Sequence, residues 1–143
     1  MSLENAELAS LLVDFSHDFG GRIVAPDDAD YDTLRAVAMG GIDRRPVVIL
    51  RPAMAADVSR AVRLAAEAGL PLSIRSGGHS GSGHGVNEGG VVIDLRDMKA
   101  IEIDEAGRTA WAEAGLTAGE VSAAATAKGL AVGFGDAATV GIG

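Results

Sequence analysis

Residues 74–85, IRSGGHSGSGHG, constrain the fold more than any other part of the chain. They hold five glycines, three serines and two histidines. The stretch begins at the end of an apolar run, residues 72–74, that predicts a buried strand. Consecutive glycines after a strand let backbone amides turn inward and form a nest for an anion, usually a phosphate or pyrophosphate.

Composition alone leaves two interpretations of this loop open, a flexible hinge and an anion site. Arg75 offers a charge-assisted contact, and Ser76 and Ser80 offer hydroxyl donors. The spacing matches neither GxGxxG leading into a helix nor GxxxxGK[ST], which disfavours a nicotinamide Rossmann site and a P-loop. On spacing alone, His79 is more often a surface or core histidine than a catalytic one.

A strand–helix–strand unit precedes the loop. Residues 46–50 predict a buried strand, and residues 55–69 predict a helix that ends at Gly69 before Pro71. With the strand at residues 72–74 they form a βαβ unit with parallel strands.

Further upstream, residues 3–16 predict a helix with Ser2 as its N-cap. A short extended piece at residues 22–26 follows, and the apolar spacing from Tyr31 to Ala38 predicts a second helix ended by glycine.

After the loop the pattern changes. Residues 90–95, 100–103 and 109–114 predict short strands that pair antiparallel. Residues 117–120, TAGE, form a capping box that opens a helix to Lys128, and residues 130–133 predict one more strand.

The predicted class is therefore α+β in two lobes. The first lobe, residues 1–84, carries the βαβ unit and the glycine loop. The second, residues 85–143, holds an incomplete, mostly antiparallel sheet with helices. Because the chain stops within a loop, we expect it to be part of a longer protein.

Charge and composition exclude several functions. The net charge is −8, from 12 Lys and Arg against 20 Asp and Glu, and there is no basic cluster for nucleic acid or an anionic membrane. The chain has no cysteine, its three histidines form no metal-binding pattern, and no metal is expected. No apolar run has membrane-span length and the N-terminus is no secretory signal, so we expect a cytoplasmic protein.

Three other polar or aromatic positions have ordinary explanations. Asp94 is expected to bond a neighbouring loop rather than act as a catalytic carboxylate. Arg44 and Arg45 are expected in a solvated turn, and Trp111 is expected to pack in the core.

An ordered set of motifs resembles a known family. These are RSGGHS at residues 75–80, GHGVNEGGVVIDLRDM at 83–98, GIDRRP at 41–46 and TVGIG at 139–143. Together they resemble the berberine-bridge-enzyme-like branch of FAD-linked oxidases, in the vanillyl-alcohol-oxidase superfamily, with a PCMH-type FAD-binding domain. The resemblance covers the chain from about Gly21 onward.

The resemblance implies roles for the loop. His79 would be the covalent anchor of FAD, bonded to the 8α carbon of the flavin. The remaining cofactor-binding residues of this loop would be Arg75, Ser76, Gly77, Gly78, Ser80 and Gly83. The second segment, which would run beside the flavin, contributes Gly135, Asp136, Thr139, Val140 and Gly141.

One departure from the family follows from composition. Some members attach the flavin a second time through a cysteine, whose position here falls at about Ala137. A single link through His79 is therefore expected. The catalytic residues and the substrate lobe are not expected within this chain, which alone should be inactive.

The resemblance also implies hydride removal from a small organic substrate, with dioxygen or another acceptor taking the electrons. Two alternatives remain: a domain of the UDP-N-acetylenolpyruvylglucosamine reductase type, which holds FAD noncovalently, and a non-catalytic module for another phosphate ligand.

Overall fold

The computed structural model describes residues 3–143, with side chains described from Leu8 onward. In chain order the elements are α1 (Leu3–Asp18), β1 (Arg22–Val24), α2 (Tyr31–Arg35), β2 (Val48–Arg51), α3 (Ala55–Glu67), β3 (Leu72–Arg75), β4 (Val91–Asp94), a single 3-10 turn (Leu95–Asp97), β5 (Ile101–Asp104), β6 (Thr109–Ala112) and α4 (Ala118–Thr126). The expected N-cap Ser2 lies outside the described residues.

The strands form a mixed four-stranded sheet and a separate two-stranded ribbon. In the larger sheet the order is β1-β2-β4-β3. β4 runs parallel to both β2 and β3, and β1 pairs antiparallel with β2. β5 and β6 form the antiparallel ribbon. The α+β class is confirmed, and β2 and β3 of the βαβ unit are parallel but have β4 between them.

The expectation that residues 90–95 pair antiparallel is wrong. All four residues of β4 are buried, as an interior strand of a parallel arrangement requires when both faces of the sheet are covered. The long glycine-rich connection carries the chain back so that β4 inserts between β2 and β3. The division into lobes 1–84 and 85–143 remains a prediction, although β4 is hydrogen-bonded into the sheet assigned to the first lobe.

Alternating residues of the central strands fill two apolar layers, one on each face of the sheet. On one face, β2 and β4 pack with α3 and Phe19 through Val48, Leu50, Ala61, Leu64, Ala65, Val91 and Ile93. On the other, Ile49 and Val92 pack with Val24, Tyr31 and Val86. Val86 belongs to the glycine-rich connection, so the second layer fastens that connection to the sheet.

The helix-end signals of the sequence are confirmed. Gly69 and Gly129, just beyond α3 and α4, have φ of +62° and +68°, a conformation that glycine adopts without steric cost. At the start of α4 the Glu120 N–H donates to Thr117 Oγ1 at 3.3 Å, and the Thr117 N–H donates to the Glu120 carboxylate at 2.7 Å. Both halves of the predicted capping box are therefore formed.

Three local expectations are wrong. α2 ends at Arg35 because Ala36 has extended dihedrals, φ −61° and ψ 139°. Residues 130–133 form no strand, since they follow α4 as a largely exposed segment without a strand beside them in the described chain. Trp111 is 60% exposed because it pairs with Glu102 on the face of the ribbon opposite Ile101 and Ile103. Of the helices in the described residues, none combines the length and apolar character needed to cross a membrane.

Candidate functional site

The glycine loop and the C-terminal segment of the chain together border one cavity. Its volume is about 320 Å³. It opens where β3 ends, beside the equivalent end of the parallel strand β4. The lining residues are Ile74, Arg75, Ser76, Gly77, Gly78, His79, Ser80, His84, Gly85, Val140, Gly141 and Gly143. Ligands of parallel sheets commonly bind outside the carboxyl ends of the strands, as this cavity is placed.

The two segments meet backbone to backbone at Gly77 and Gly141. A Cβ on either glycine would lie less than 3.0 Å from the backbone nitrogen of the other. Ser76 strengthens the junction, because its hydroxyl donates to the Ala114 carbonyl just before α4. The packing of the protein itself therefore requires glycine at both positions.

The loop backbone turns sharply at Gly78 and Gly83, whose φ angles are +74° and +71°. Between them the Gly83 N–H donates to the Ser80 carbonyl at 3.1 Å, and the His84 N–H donates to Ser80 Oγ at 3.2 Å. In the described chain, the backbone N–H groups of residues 77–80 donate to no protein acceptor. Successive free amides around a residue of positive φ are what an anion nest requires, and anion binding here remains a prediction.

The start of α4 holds the second wall of the cavity. The Ala118 N–H donates to the Val140 carbonyl at 2.8 Å, and the Gly119 N–H donates to the Ala138 carbonyl at 2.9 Å. The amides at the start of a helix lack intrahelical partners, and here the loop carbonyls satisfy two of them. The segment that contributes Val140 and Gly141 is thereby fixed to a helix.

A group of charged side chains, with Arg75 and Asp94 buried at its centre, lies beneath the loop. The Arg75 and Asp94 side chains are 1% and 0% exposed, and Arg75 Nη2 donates to Asp94 Oδ2 at 3.0 Å. Arg96 donates to the same carboxylate through Nη2 at 2.7 Å and Nε at 2.9 Å. Arg51 Nη1 lies 3.8 Å from Asp94 and also pairs with Asp97. The expectation that Asp94 bonds a neighbouring loop is thus incomplete, because arginines of β2 and β3 are partners as well.

The surroundings of the pair shift both pKa values. Burial alone would raise the pKa of Asp94, but the hydrogen bonds from Arg96 and the charge of Arg75 outweigh it, and the net pKa lies below the ordinary value. Burial lowers the pKa of Arg75, an effect that Asp94 opposes. Both groups are charged at neutral pH, since each has an opposite charge within hydrogen-bonding distance.

Arg44 is exposed, as expected, but its side chain also contacts the glycine loop. Its Nη1 donates to the carbonyls of Gly83 and Val86, at 3.0 Å each. It therefore holds the far end of the glycine loop. Sequence reasoning missed this role, and those of Arg51 and Arg96, because each partner lies on a different element.

The structure brings most of the predicted site residues together. Residues 75–80, Val140 and Gly141 line the cavity. Gly83 is buried against Ile42, and a Cβ on Gly77 would lie 3.1 Å from the Thr139 carbonyl oxygen. Gly135 and Asp136 are exposed and do not line the cavity. Their contact with a cofactor, like the roles of the other residues toward it, remains a prediction.

Residues 46–143 match the family model described as FAD binding domain. Over 111 residues the chain is 40% identical to (R)-6-hydroxynicotine oxidase of Paenarthrobacter nicotinovorans, covering 78% of this chain and 24% of that protein. It is 38% identical to berberine bridge enzyme-like 28 of Arabidopsis thaliana, covering 69% of this chain and 20% of that one.

Solved structures of related proteins have the same fold as this chain. The crystal structure of 6-hydroxy-D-nicotine oxidase from Arthrobacter nicotinovorans superposes with a TM-score of 0.85 at 39% identity, over 87% of this chain and 27% of that one. The BBE-like 1 protein of Physcomitrella patens has a TM-score of 0.85 at 28% identity, over 94% and 29%. The chain thus spans about a quarter of these relatives, and it belongs to the FAD binding domain family of the berberine-bridge-enzyme-like oxidases.

Proposed function

We propose that this chain holds FAD in the cavity at the glycine loop, with the diphosphate over the amides of residues 77–80 and the flavin attached covalently to His79. The whole protein would then be a flavin-dependent oxidoreductase that removes a hydride from a small organic substrate. Membership of the FAD binding domain family supports the cofactor. The covalent link, the substrate class and the electron acceptor are the parts that require testing.

The observation that carries the proposal is the set of free loop amides. Gly78 has φ +74°, and the N–H groups around it have no acceptor in the described chain. Uncommitted amide donors are costly unless water or an anion takes them. A diphosphate supplies several anionic oxygens, which fits this arrangement of donors.

The charged side chains around Asp94 favour the same ligand. Arg51, Arg75 and Arg96 face Asp94 and Asp97, so this group carries one net positive charge within a chain of net charge −8. The buried Arg75–Asp94 pair is neutral, so the excess positive charge belongs to Arg51 and Arg96 at its edge, and it favours an anion nearby. The group lies at the strand ends beside the cavity, which is where the phosphates are proposed to bind.

When bound, the flavin supplies a hydride acceptor. The residues of this chain provide its position: the loop amides orient the phosphates and His79 holds the ring system by one bond. Val140 lines the cavity wall and limits the space there. Since Ala137 stands where some relatives have a second attachment cysteine, the link through His79 would be single.

Acid precipitation of the purified whole protein tests the attachment. A covalent flavin stays with the pellet and adds the mass of one FAD to the denatured chain. His79→Ala should abolish acid-stable flavin and leave weaker, reversible binding through the loop amides. His84→Ala is the matched control, because His84 lies in the same loop and lines the same cavity, and it should keep the flavin attached.

The two alternatives give different results. Flavin that is present but released by acid would support the noncovalent, reductase-type domain. A protein without flavin absorbance that binds another phosphate compound would support the non-catalytic module. The proposal includes a cytoplasmic location, since a cysteine-free composition makes no use of an oxidising compartment, and cell fractionation tests it.

A further inference from the structure

The Arg75 side chain forms the floor of the glycine loop. A Cβ on Gly78 would lie 3.3 Å from Arg75 Cδ, and a Cβ on Gly85 would lie 3.5 Å from Arg75 Cγ. The aliphatic stem of the arginine therefore packs against the loop backbone on both sides of His79. Any movement of this stem changes the support of the residues that border the cavity.

The guanidinium is fixed from three directions. It donates to the Ala36 carbonyl at 3.2 Å, to the Leu34 carbonyl, and to Asp94 Oδ2 at 3.0 Å. The first two partners are at the end of α2, and the third ends β4. The loop is joined to the same α2 segment directly, since the Ala38 N–H donates to the Gly78 carbonyl at 3.1 Å. The arginine thus connects helix, strand and loop.

Stability alone is a poor explanation for this arrangement. Burying a charged pair costs desolvation, and apolar residues of similar size often serve a core as well or better. In the described chain Arg75 Nε is buried without a hydrogen-bond partner, which is a further cost. The planar guanidinium of Arg75 has N–H donors in a rigid arrangement, so its hydrogen bonds hold the segments that it contacts in one defined geometry.

We propose that Arg75 and Asp94 are positioning residues for His79: Asp94 fixes the guanidinium, and the arginine stem holds the loop backbone in the conformation that presents His79 to the flavin. This inference rests on the proposed covalent attachment. It assigns to Arg75 an action through the loop backbone rather than a direct bond to the diphosphate. Asp94, with a side chain that is 0% exposed, acts only through its arginine partners.

The test uses the whole protein prepared without flavin and then mixed with FAD. The rate at which acid-stable flavin forms and the final ratio of acid-stable to total bound FAD are measured, together with the melting temperature. Asp94→Asn keeps the side-chain shape but removes the charge that fixes Arg75. We expect attachment to slow about ten-fold or more, because covalent steps are sensitive to small misplacements of the reacting group.

Asp57→Asn is the matched control. Asp57 is a buried aspartate, 1% exposed, and it accepts N–H groups of Gly20, Ala53 and Met54 rather than contacting the loop. It should lower the melting temperature and leave the attachment rate and flavin ratio unchanged. A double variant, Arg75→Met with Asp94→Leu, removes both buried charges together. It leaves the partly exposed Arg96 to water and Arg51 to Asp97, so no fully buried charge loses its partner, and it should attach flavin slowly.

The outcomes separate this inference from the proposed function. Slow attachment in Asp94→Asn and in the double variant, with normal attachment in Asp57→Asn, supports positioning. Normal attachment in a folded double variant, or equal effects of Asp94→Asn and Asp57→Asn, overturns it while covalent attachment stands. If the wild-type protein binds FAD only reversibly, the proposed covalent attachment fails, and this inference, which rests on it, fails as well.

Discussion

Gly77 and Gly141, which are 64 positions apart in the chain, approach so closely that neither can carry a side chain. A Cβ on Gly77 would lie less than 3.0 Å from Gly141 N, and a Cβ on Gly141 would meet Gly77 N and Ser76 Oγ at similar range. This contact closes one side of the cavity. It makes the glycine loop and the C-terminal segment a single structural unit.

Gly77→Ala and Gly141→Ala should each separate these two segments. We expect each substitution to cost about 1–3 kcal/mol of stability, because the close backbone contact cannot relax without moving a loop. Flavin content should fall in both variants. Gly81→Ala, at an exposed position with nothing within 4 Å of the added Cβ, is the control. Thermal unfolding measures the stability and flavin absorbance measures the cofactor content. Wild-type values of both for Gly77→Ala and Gly141→Ala would show that the two glycines do not need to be this close.

Gly78→Val should impair flavin loading more than it impairs the fold. Gly78 has φ +74°, which strains a β-branched residue by about 1–3 kcal/mol, and the added Cβ would press on Arg75 Cδ. Gly69→Val meets similar backbone strain at φ +62° but in open space at the end of α3. Both variants should lose stability, and only Gly78→Val should lose flavin. Equal flavin content in the two variants would show that the glycine loop does not bind the flavin cofactor.

Acid should weaken the fold partly through Asp94. Its pKa in the folded protein lies below the ordinary value, so its ion pairs stabilise the protein above the unfolded pKa of about 3.9. That contribution is lost as the pH falls through the lower, folded pKa. Asp94→Asn should therefore melt well below wild type at neutral pH, and the difference should shrink in strong acid. Melting curves across this range would contradict the assignment if the difference stayed constant.

Val140→Leu should slow the reaction of the reduced protein with dioxygen. Val140 lines the cavity and is 36% exposed, and a larger side chain there leaves less room for a small diatomic molecule. One added methylene in a close apolar passage is worth about ten-fold. Stopped-flow mixing of the reduced whole protein with air-saturated buffer measures the rate. Equal, slow rates for both proteins would favour an acceptor other than dioxygen.

Amide hydrogen exchange should be slow up to the end of β4 and faster in the two-stranded ribbon that follows. The residues of β4 are all buried between two other strands, whereas each residue of β6 is exposed or half-buried in a two-stranded ribbon. Local opening requires less energy where few apolar contacts break. We expect β2 and β4 amides to exchange far more slowly than those of β5 and β6. Strong protection throughout residues 91–132 would mean that the ribbon is as stable as the main sheet.

Local signals were sufficient for much of this fold. The capping box at Thr117 and Glu120 predicted the start of α4, and Gly69 and Gly129 predicted where two helices end, because these motifs act over a single turn of chain. The glycine-rich loop after β3 predicted sharp backbone turns, which Gly78 and Gly83 make with positive φ, whereas its role as an anion nest stays a prediction. The ordered motifs also indicated the family that the comparisons confirmed.

Long-range pairing was decided only in three dimensions. The sequence predicted a strand at residues 90–95, but nothing local distinguishes an antiparallel neighbour from insertion between β2 and β3, which depends on burying both faces of β4. For the same reason the sequence did not show that the Arg75 guanidinium bonds Asp94 and the end of α2, while its contact with a ligand stays a prediction. The sequence by itself determined most of the helices and strands and the family. Tertiary packing determined which distant charges and backbone segments meet at the cavity, because contacts between residues far apart in the chain produce no local sequence pattern.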